Sequence, residues 1–150
     1  MAPINHSLAV LAACLFFYGA SVAEGITFGQ LDDFQDGTVQ GWVSGLFNAH
    51  PPINVAGGPG GAGDAFLQVE AHGGSGPGSK LVTFNQDQWR GDYLAAGVTA
   101  IRMDIKNFSD NALTIRLLAQ QVLVEPLVSD GVEVGANSGW TETLCRCRRD

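Results

Sequence analysis

Alternation of apolar and polar residues dominates the chain after residue 23. The segment 101–106 (IRMDIK) alternates strictly, and 113–117 (LTIRL) repeats the pattern. Because successive side chains of a β-strand point to opposite faces, this period of two predicts half-buried strands. The polar segment 107–111 (NFSDN) has the composition of the loop between them. Other short runs suited to strands are Ile26–Phe28, Gly41–Phe47, Ala65–Ala71, Lys80–Asn85 and Gln120–Glu125.

Helical periodicity is nearly absent from the same region, and glycine-rich corners separate the short runs. Glycine adopts a positive φ without a Cβ clash, so 57–63 and 73–78 predict tight loops. Residues 92–98 have the length of one helical turn. The pattern predicts an all-β fold, an antiparallel β-sandwich of the jelly-roll type. Six or seven strands are recognisable where a jelly roll has eight, so we expect the sandwich to be incomplete at its C-terminus.

The first 23 residues contain no Asp, Glu, Lys or Arg. An apolar run over Leu8–Tyr18 is followed by the small residues Ser21–Ala23, which predicts a cleaved signal peptide over 1–23 and a secreted or cell-surface protein. The run is too short to span a bilayer, so no transmembrane segment is expected in the mature chain. Alternatively, Leu11–Cys14 resembles a bacterial lipobox, which would make Cys14 an acylated N-terminus.

The charge of the chain is acidic, with a formal net charge of −7 over 150 residues. Between Glu24 and Leu144 there are 14 acidic and 5 basic side chains. Phosphate binding needs clustered Lys and Arg, so this surface excludes nucleic acid as an expected partner and suits calcium or neutral ligands. The length allows one domain with a hydrophobic core.

The last 22 residues differ from the rest of the chain. Residues 129–150 are glycine-rich without clear alternation, and 145–150 (CRCRRD) hold three of the six arginines. Cys145 and Cys147 are one residue apart, a spacing that rarely closes a disulfide. We predict a partial β-sandwich domain over 24–128 and an atypical tail over 129–150, frameshifted or disordered. The alternative is that the tail supplies irregular closing strands.

Four segments within 31–118 together resemble secreted bacterial jelly-roll modules of exosortase-sorted (PEP-CTERM) surface proteins. These modules are similar to carbohydrate-binding modules of the galactose-binding-like class and, more distantly, to the laminin B domain. The matching segments are Asp33–Thr38 with Gly41 and Trp42, Gly57–Asp64, Gly78–Leu81 and Trp89–Val98. The resemblance implies a two-sheet sandwich without catalytic machinery.

The chain departs from those modules in three places. Gln35 stands where carbohydrate-binding modules of this kind often have a glutamate as calcium ligand. No strand carrying a ligand Asp is recognisable after Leu118, and the Pro-Glu-Pro sorting signal is missing. These departures indicate a truncated or frameshifted copy of a longer protein, which the downstream DNA in all three frames would test.

The candidate ligand-binding residues are three aromatic ones. A flat aromatic face covers the C–H face of a sugar while its polar edge reaches water, and Trp89, Tyr93 and Trp42 offer such faces. Packing in the core is the alternative for each of them. Trp89 lies in a polar loop, whereas Trp42 and Tyr93 have neighbours typical of core positions.

Calcium is the candidate ion, because it takes six to eight oxygen ligands and glycine-rich corners expose carbonyls readily. Asp33, Asp36 and Asp64 would supply carboxylates, and Gln35 a neutral oxygen. The alternative is that these aspartates form turns by capping their own backbone. No other cofactor is expected.

The sequence offers no set of catalytic residues. Glycines 58, 60 and 63 fit GxGxxG, but a strand pattern instead of a helix follows them. His50 and His72 lie in loops without a nucleophile motif or a zinc-protease helix. We therefore expect a secreted, noncatalytic β-sandwich that binds a glycan or extracellular matrix component. The alternative is a structural cell-surface protein that makes protein contacts and has no sugar site.

Overall fold

The computed structural model describes residues 25–45, 49–73, 80–119, 127–128 and 131–146, and for 127–128 the backbone alone. Every regular element in these ranges is an antiparallel β-strand, and none is a helix, as the alternation predicts. The eight strands are β1 (Ile53–Ala56), β2 (Ala65–Gln68), β3 (Ala100–Ile105), β4 (Leu113–Ile115), β5 (Leu118–Ala119), β6 (Leu127–Val128), β7 (Val132–Val134) and β8 (Thr141–Arg146).

Strands β1 and β2 form a hairpin around the first glycine-rich corner. Ile53 pairs with Gln68 and Ala56 with Ala65. The loop closes where the amides of Gly57 and Gly58 donate to the carbonyl oxygen of Asp64, at 2.8 and 2.9 Å. A Cβ on Gly58 would lie 2.5 Å from Asp64 Oδ2, so a larger residue there would clash with the carboxylate.

Strands β3 to β8 pair in a nested order. The outermost pair is β3 with β8, the middle pair β4 with β7, and the innermost β5 with β6. The register is nearly constant along the set: Ala100 faces Arg146, Leu113 faces Val134, and Leu118 faces Val128. The three two-stranded sheets are therefore successive stretches of one long antiparallel ribbon.

The ribbon is interrupted between β3 and β4, where Asn107 replaces regular pairing with side-chain hydrogen bonds. Its Nδ2 donates to the carbonyl oxygens of Asn111, Val134 and Gly135, at 2.7, 3.3 and 3.0 Å. Its Oδ1 accepts from the amide and hydroxyl of Ser109. The Asn107 side chain therefore joins both arms of the ribbon at the gap.

Several segments that the sequence predicts as strands have a different conformation in the structure. In the described part of the predicted strands Gly41–Phe47 and Lys80–Asn85, which excludes residues 46 and 47, the pairing is a single bridge, Val43 with Phe84. Ile26–Phe28 is wrong as a strand, because the chain enters a turn at Phe28. β1 was not predicted. In 92–98 the Ala96 amide donates to the Asp92 carbonyl, so the expected helical turn is present.

Within the predicted tail, 129–150, the chain forms β7 and β8, which pair with β4 and β3. Residues 132–134 and 141–146 of the predicted tail are therefore paired strands, and whether they close a sandwich stays a prediction. The predicted strand Gln120–Glu125, the signal peptide 1–23 with Cys14, and Cys147 lie outside the described residues. Among the described residues, no helix is long and apolar enough to cross a membrane.

The buried cluster lies where the segment around Ile26, the turn at 89–98 and strands β3 and β5 of the ribbon meet. Its members are Ile26, Tyr93, Val98 and Ala119, with Trp89, Ala96 and Ile101 packed against them. The Ile26 amide donates to the Arg90 carbonyl at 2.8 Å, which fixes the N-terminal segment against the turn. The half-buried Trp89 thus connects this core with the surface.

Candidate functional site

Asp32 receives three side-chain hydrogen bonds from residues distant in sequence. Its Oδ2 accepts from the indole N–H groups of Trp42 and Trp89, each at 2.6 Å. Its Oδ1 accepts from the Gln88 amide, also at 2.6 Å. Hydrogen bonds to an ionised group are shorter and stronger than neutral ones, so the carboxylate fixes both indoles.

The two indoles lie side by side and are both half-buried. Their ring centroids are 6.4 Å apart, and the ring planes are tilted by 44°. This centroid distance lies within the 4.5–7 Å range of interacting aromatic pairs. The structure therefore brings together Trp42 and Trp89, two of the three aromatic residues that the sequence indicated as ligand contacts.

The backbone conformation just before Trp42 places its indole beside Asp32. Gln40 and Gly41 both have a positive φ, 46° and 78°, so the chain turns sharply just before the indole. Asn85 and Gln88 then hold the turn, because both donate side-chain hydrogen bonds to the Gln40 carbonyl oxygen, at 2.8 and 3.0 Å. The segment that carries Trp89 is thereby fixed against the one that carries Trp42.

Tyr93 is not at the surface with the two indoles. It is 3% exposed and belongs to the buried cluster. Its hydroxyl donates to the Trp89 carbonyl oxygen at 2.6 Å. Tyr93 therefore stabilises the turn under Trp89, and its ring is too buried to cover a sugar in this conformation.

The structure brings Gln35 and Asp64 of the predicted calcium site together through a hydrogen bond, and the other described bonds of the four residues lie within their own loops. Gln35 donates its amide to Asp64 Oδ1 and to the Asp33 carbonyl oxygen, both at 2.9 Å. Asp33 Oδ1 accepts the Gln35 backbone amide at 3.1 Å, and Asp64 Oδ2 accepts the Gly60 amide at 2.7 Å. Gln35 thus directs N–H groups, and no ligand oxygen, toward Asp64.

Asp36 caps a turn of its own. Its carboxylate accepts hydrogen bonds from the backbone amide and the hydroxyl of Thr38, at 2.8 and 2.9 Å. These bonds favour the ionised form and hold the pKa of the exposed Asp36 below its usual range. A calcium site at these four residues stays a prediction, and their described arrangement fits a hydrogen-bonded loop better than a calcium cage.

The residue that sequence reasoning missed is Asp32. It precedes Asp33, and only the three-dimensional structure shows that it accepts from indoles 10 and 57 positions away.

The chain was compared with family models, curated proteins and solved structures. No family model, curated protein or solved structure matches it. Function is therefore inferred from the geometry around Asp32 and from the sequence.

Proposed function

We propose that the protein is a secreted, noncatalytic β-sandwich module that binds a neutral glycan, or a matrix component carrying one, through Trp42 and Trp89. The observation that carries the proposal is the double indole hydrogen bond to Asp32. It fixes the tilt of two half-buried aromatic rings, and such rings are suited to stack on the C–H faces of sugar rings.

Pre-organisation supports this assignment. A binding site loses affinity when flexible side chains must be ordered on association, at roughly 0.5–1.5 kcal/mol for each side chain. Trp42 and Trp89 are already held by Asp32, so little of this cost would remain. The acidic chain is also compatible with a neutral polysaccharide and disfavours polyanions.

The sandwich assignment belongs to the same proposal. The ribbon and the β1–β2 hairpin would supply strands of its two sheets, consistent with the resemblance to jelly-roll carbohydrate-binding modules. The predicted signal peptide over 1–23 supports an extracellular location. The lack of a catalytic constellation in the sequence supports a binding role.

Affinity electrophoresis in gels containing neutral polysaccharides tests the proposal. We expect the chain to be retarded by at least one polysaccharide, and Trp89→Ala to weaken the interaction by about tenfold or more. Tenfold corresponds to roughly 1.4 kcal/mol, within the range of one lost aromatic contact.

Trp140→Ala is the matched control. Trp140 is also half-buried, but it packs edge-on against Phe66 at 5.1 Å and donates to the Gly57 carbonyl oxygen. Its removal should leave retardation unchanged. Equal losses in both variants, or no retardation of a folded sample by any polysaccharide, would contradict the glycan-binding proposal.

A structural protein with protein contacts is the second candidate. It is favoured by two large apolar side chains in the first described turn, Phe28 and Leu31, which are 80% and 75% exposed. Large exposed apolar side chains are candidates for contact sites where they form one patch. This candidate would be favoured if the protein binds no polysaccharide but associates with itself or with another protein, and if Phe28→Ser abolishes that association.

A further inference from the structure

The β1–β2 hairpin brings two chain segments together at its open end, far in sequence from the Asp32 cluster. Ile53 at the start of β1 pairs with Gln68 at the end of β2. His50 lies just before β1, and Glu70 and His72 lie just after β2. The register therefore places both described histidines beside one carboxylate.

The side-chain geometry at this end is compact. The rings of His50 and His72 have their centroids 4.0 Å apart, and His72 Nε2 lies 3.8 Å from Glu70 Oε2. One ligand atom from each of His50, Glu70 and His72 lies within 4.8 Å of the other two. Among the residues that the structure describes, this is the only such group of three His, Cys, Asp or Glu side chains.

We propose that His50, Glu70 and His72 form a binding site for a divalent transition metal, with Zn²⁺ as the reference ion. Two imidazoles and one carboxylate are a ligand set that zinc uses, with a water in the fourth tetrahedral position. Imidazole suits Zn, Cu and Ni, whereas Ca²⁺ prefers oxygen ligands alone. The site is thus distinct in chemistry and position from the predicted calcium residues.

The distances require only a small closure. With zinc–ligand bonds of about 2.1 Å, tetrahedral donor atoms lie about 3.4 Å apart, so a set within 4.8 Å contracts by up to about 1.4 Å. All three side chains are exposed, so each can move by this amount without repacking a core. A bound ion would also cross-link the two chain segments at the open end of the hairpin, where the pairing of β1 and β2 stops.

Two neighbouring features support the site. Gln68 donates its amide to Glu70 Oε1 at 2.6 Å and leaves Oε2 directed toward His72. Such an outer hydrogen bond orients a ligating carboxylate. A cleft of about 180 Å³ lies beside it, lined by residues that include His50, Gln68 and Glu70, so water or a small ligand has access to the fourth position.

Isothermal titration of the full chain with Zn²⁺ at neutral pH tests the proposal. We expect one zinc per chain, undisturbed by excess Ca²⁺. His50→Ala and His72→Ala should each lower the affinity by more than about tenfold, because loss of even an outer-shell partner costs 10- to 100-fold. Glu133→Ala, which removes an exposed carboxylate outside this group, should leave the affinity unchanged.

X-ray absorption of the zinc-loaded chain gives a readout that does not depend on variants. A shell of nitrogen and oxygen neighbours at about 2.0–2.1 Å is expected, whereas cysteine ligation would give sulfur at about 2.3 Å. A sulfur-dominated shell, the absence of zinc binding, or equal affinities in wild type, His50→Ala and His72→Ala would each overturn the proposal. It does not depend on glycan binding, so either proposal can fail alone.

Discussion

At the scale of single residues, Asp32 connects three segments that are remote in sequence. An ionised carboxylate has about four acceptor positions, and Trp42, Trp89 and Gln88 occupy three of them. Because Asp32 is half-buried, water replaces it poorly as the acceptor for these donors when the carboxylate is removed. The side chain therefore stabilises the fold and positions the candidate binding surface together.

Asp32→Ala should lower the free energy of unfolding by about 2–4 kcal/mol, since it leaves two indole N–H groups and an amide without their acceptor. Asp32→Asn should cost less, about 1 kcal/mol, because its single oxygen can still accept from both indoles while its amide nitrogen no longer accepts from Gln88. Urea denaturation followed by tryptophan fluorescence measures both. An equal loss of stability in the two variants would show that the hydrogen bonds from the two indoles to Asp32 Oδ2 do not stabilise the fold.

The sequence identified part of this cluster. Trp89 in a polar loop and Trp42 beside a glycine were recognisable as candidate contacts, and the structure places them together. The alternative of core packing fits Tyr93, which is buried. Asp32 escaped prediction because its partners depend on tertiary contacts, and the carboxylates beside it were assigned to calcium.

At the scale of elements, the prediction succeeded where apolar residues alternate with charged ones, as in β3. It did not identify β8, whose buried positions carry Thr143 and Cys145 while Leu144 is 53% exposed. Leu144 faces solvent and the hydroxyl-bearing Thr143 is buried, so the hydrophobic pattern of this strand does not indicate which of its faces is buried. β1 was missed for a related reason, since Asn54 is half-buried and donates to the Phe34 and Thr38 carbonyls.

The junction between β3 and β4 depends on one amide side chain. Asn107 is only 4% exposed and donates to three backbone carbonyl oxygens. Asn107→Ala should therefore lower the free energy of unfolding by about 2–3 kcal/mol, because all of the hydrogen bonds of this buried amide are lost and the buried Val134 carbonyl loses its side-chain donor. Thermal or urea denaturation measures the change.

The matched control is Asn111→Ala. Asn111 is exposed and contributes to the junction through its backbone carbonyl, which alanine retains. Its effect should stay within about 0.5 kcal/mol. An equally large loss in Asn111→Ala would show that the backbone conformation of the loop, and not the Asn107 amide, stabilises the junction.

At the scale of the whole molecule, the sequence predicted the β class and much less of the connectivity. The described residues form four two-stranded sheets, so local alternation and turn chemistry were sufficient to recognise the class. The pairing of β3 with β8 joins residues more than 35 positions apart. No local pattern encodes such a partner, because strand pairing is decided by burial and register across the fold.

The nested ribbon has a consequence for the order of folding. The separation between partners falls from 46 residues for Ala100 and Arg146 to 10 for Leu118 and Val128. Closing a short loop costs less chain entropy, so the innermost pair should form first and β8 should dock last. The C-terminal strand should then contribute mainly to the barrier against unfolding.

Cys145→Ala in β8 should accordingly speed unfolding and leave the folding rate nearly unchanged, whereas Ala119→Gly in β5 should slow folding. Stopped-flow measurements across a denaturant series separate the two rates. A slower folding rate in Cys145→Ala would place the outer pair in the transition state. In that case β3 and β8 would pair before β5 and β6, and the ribbon would form from its outer pair inward.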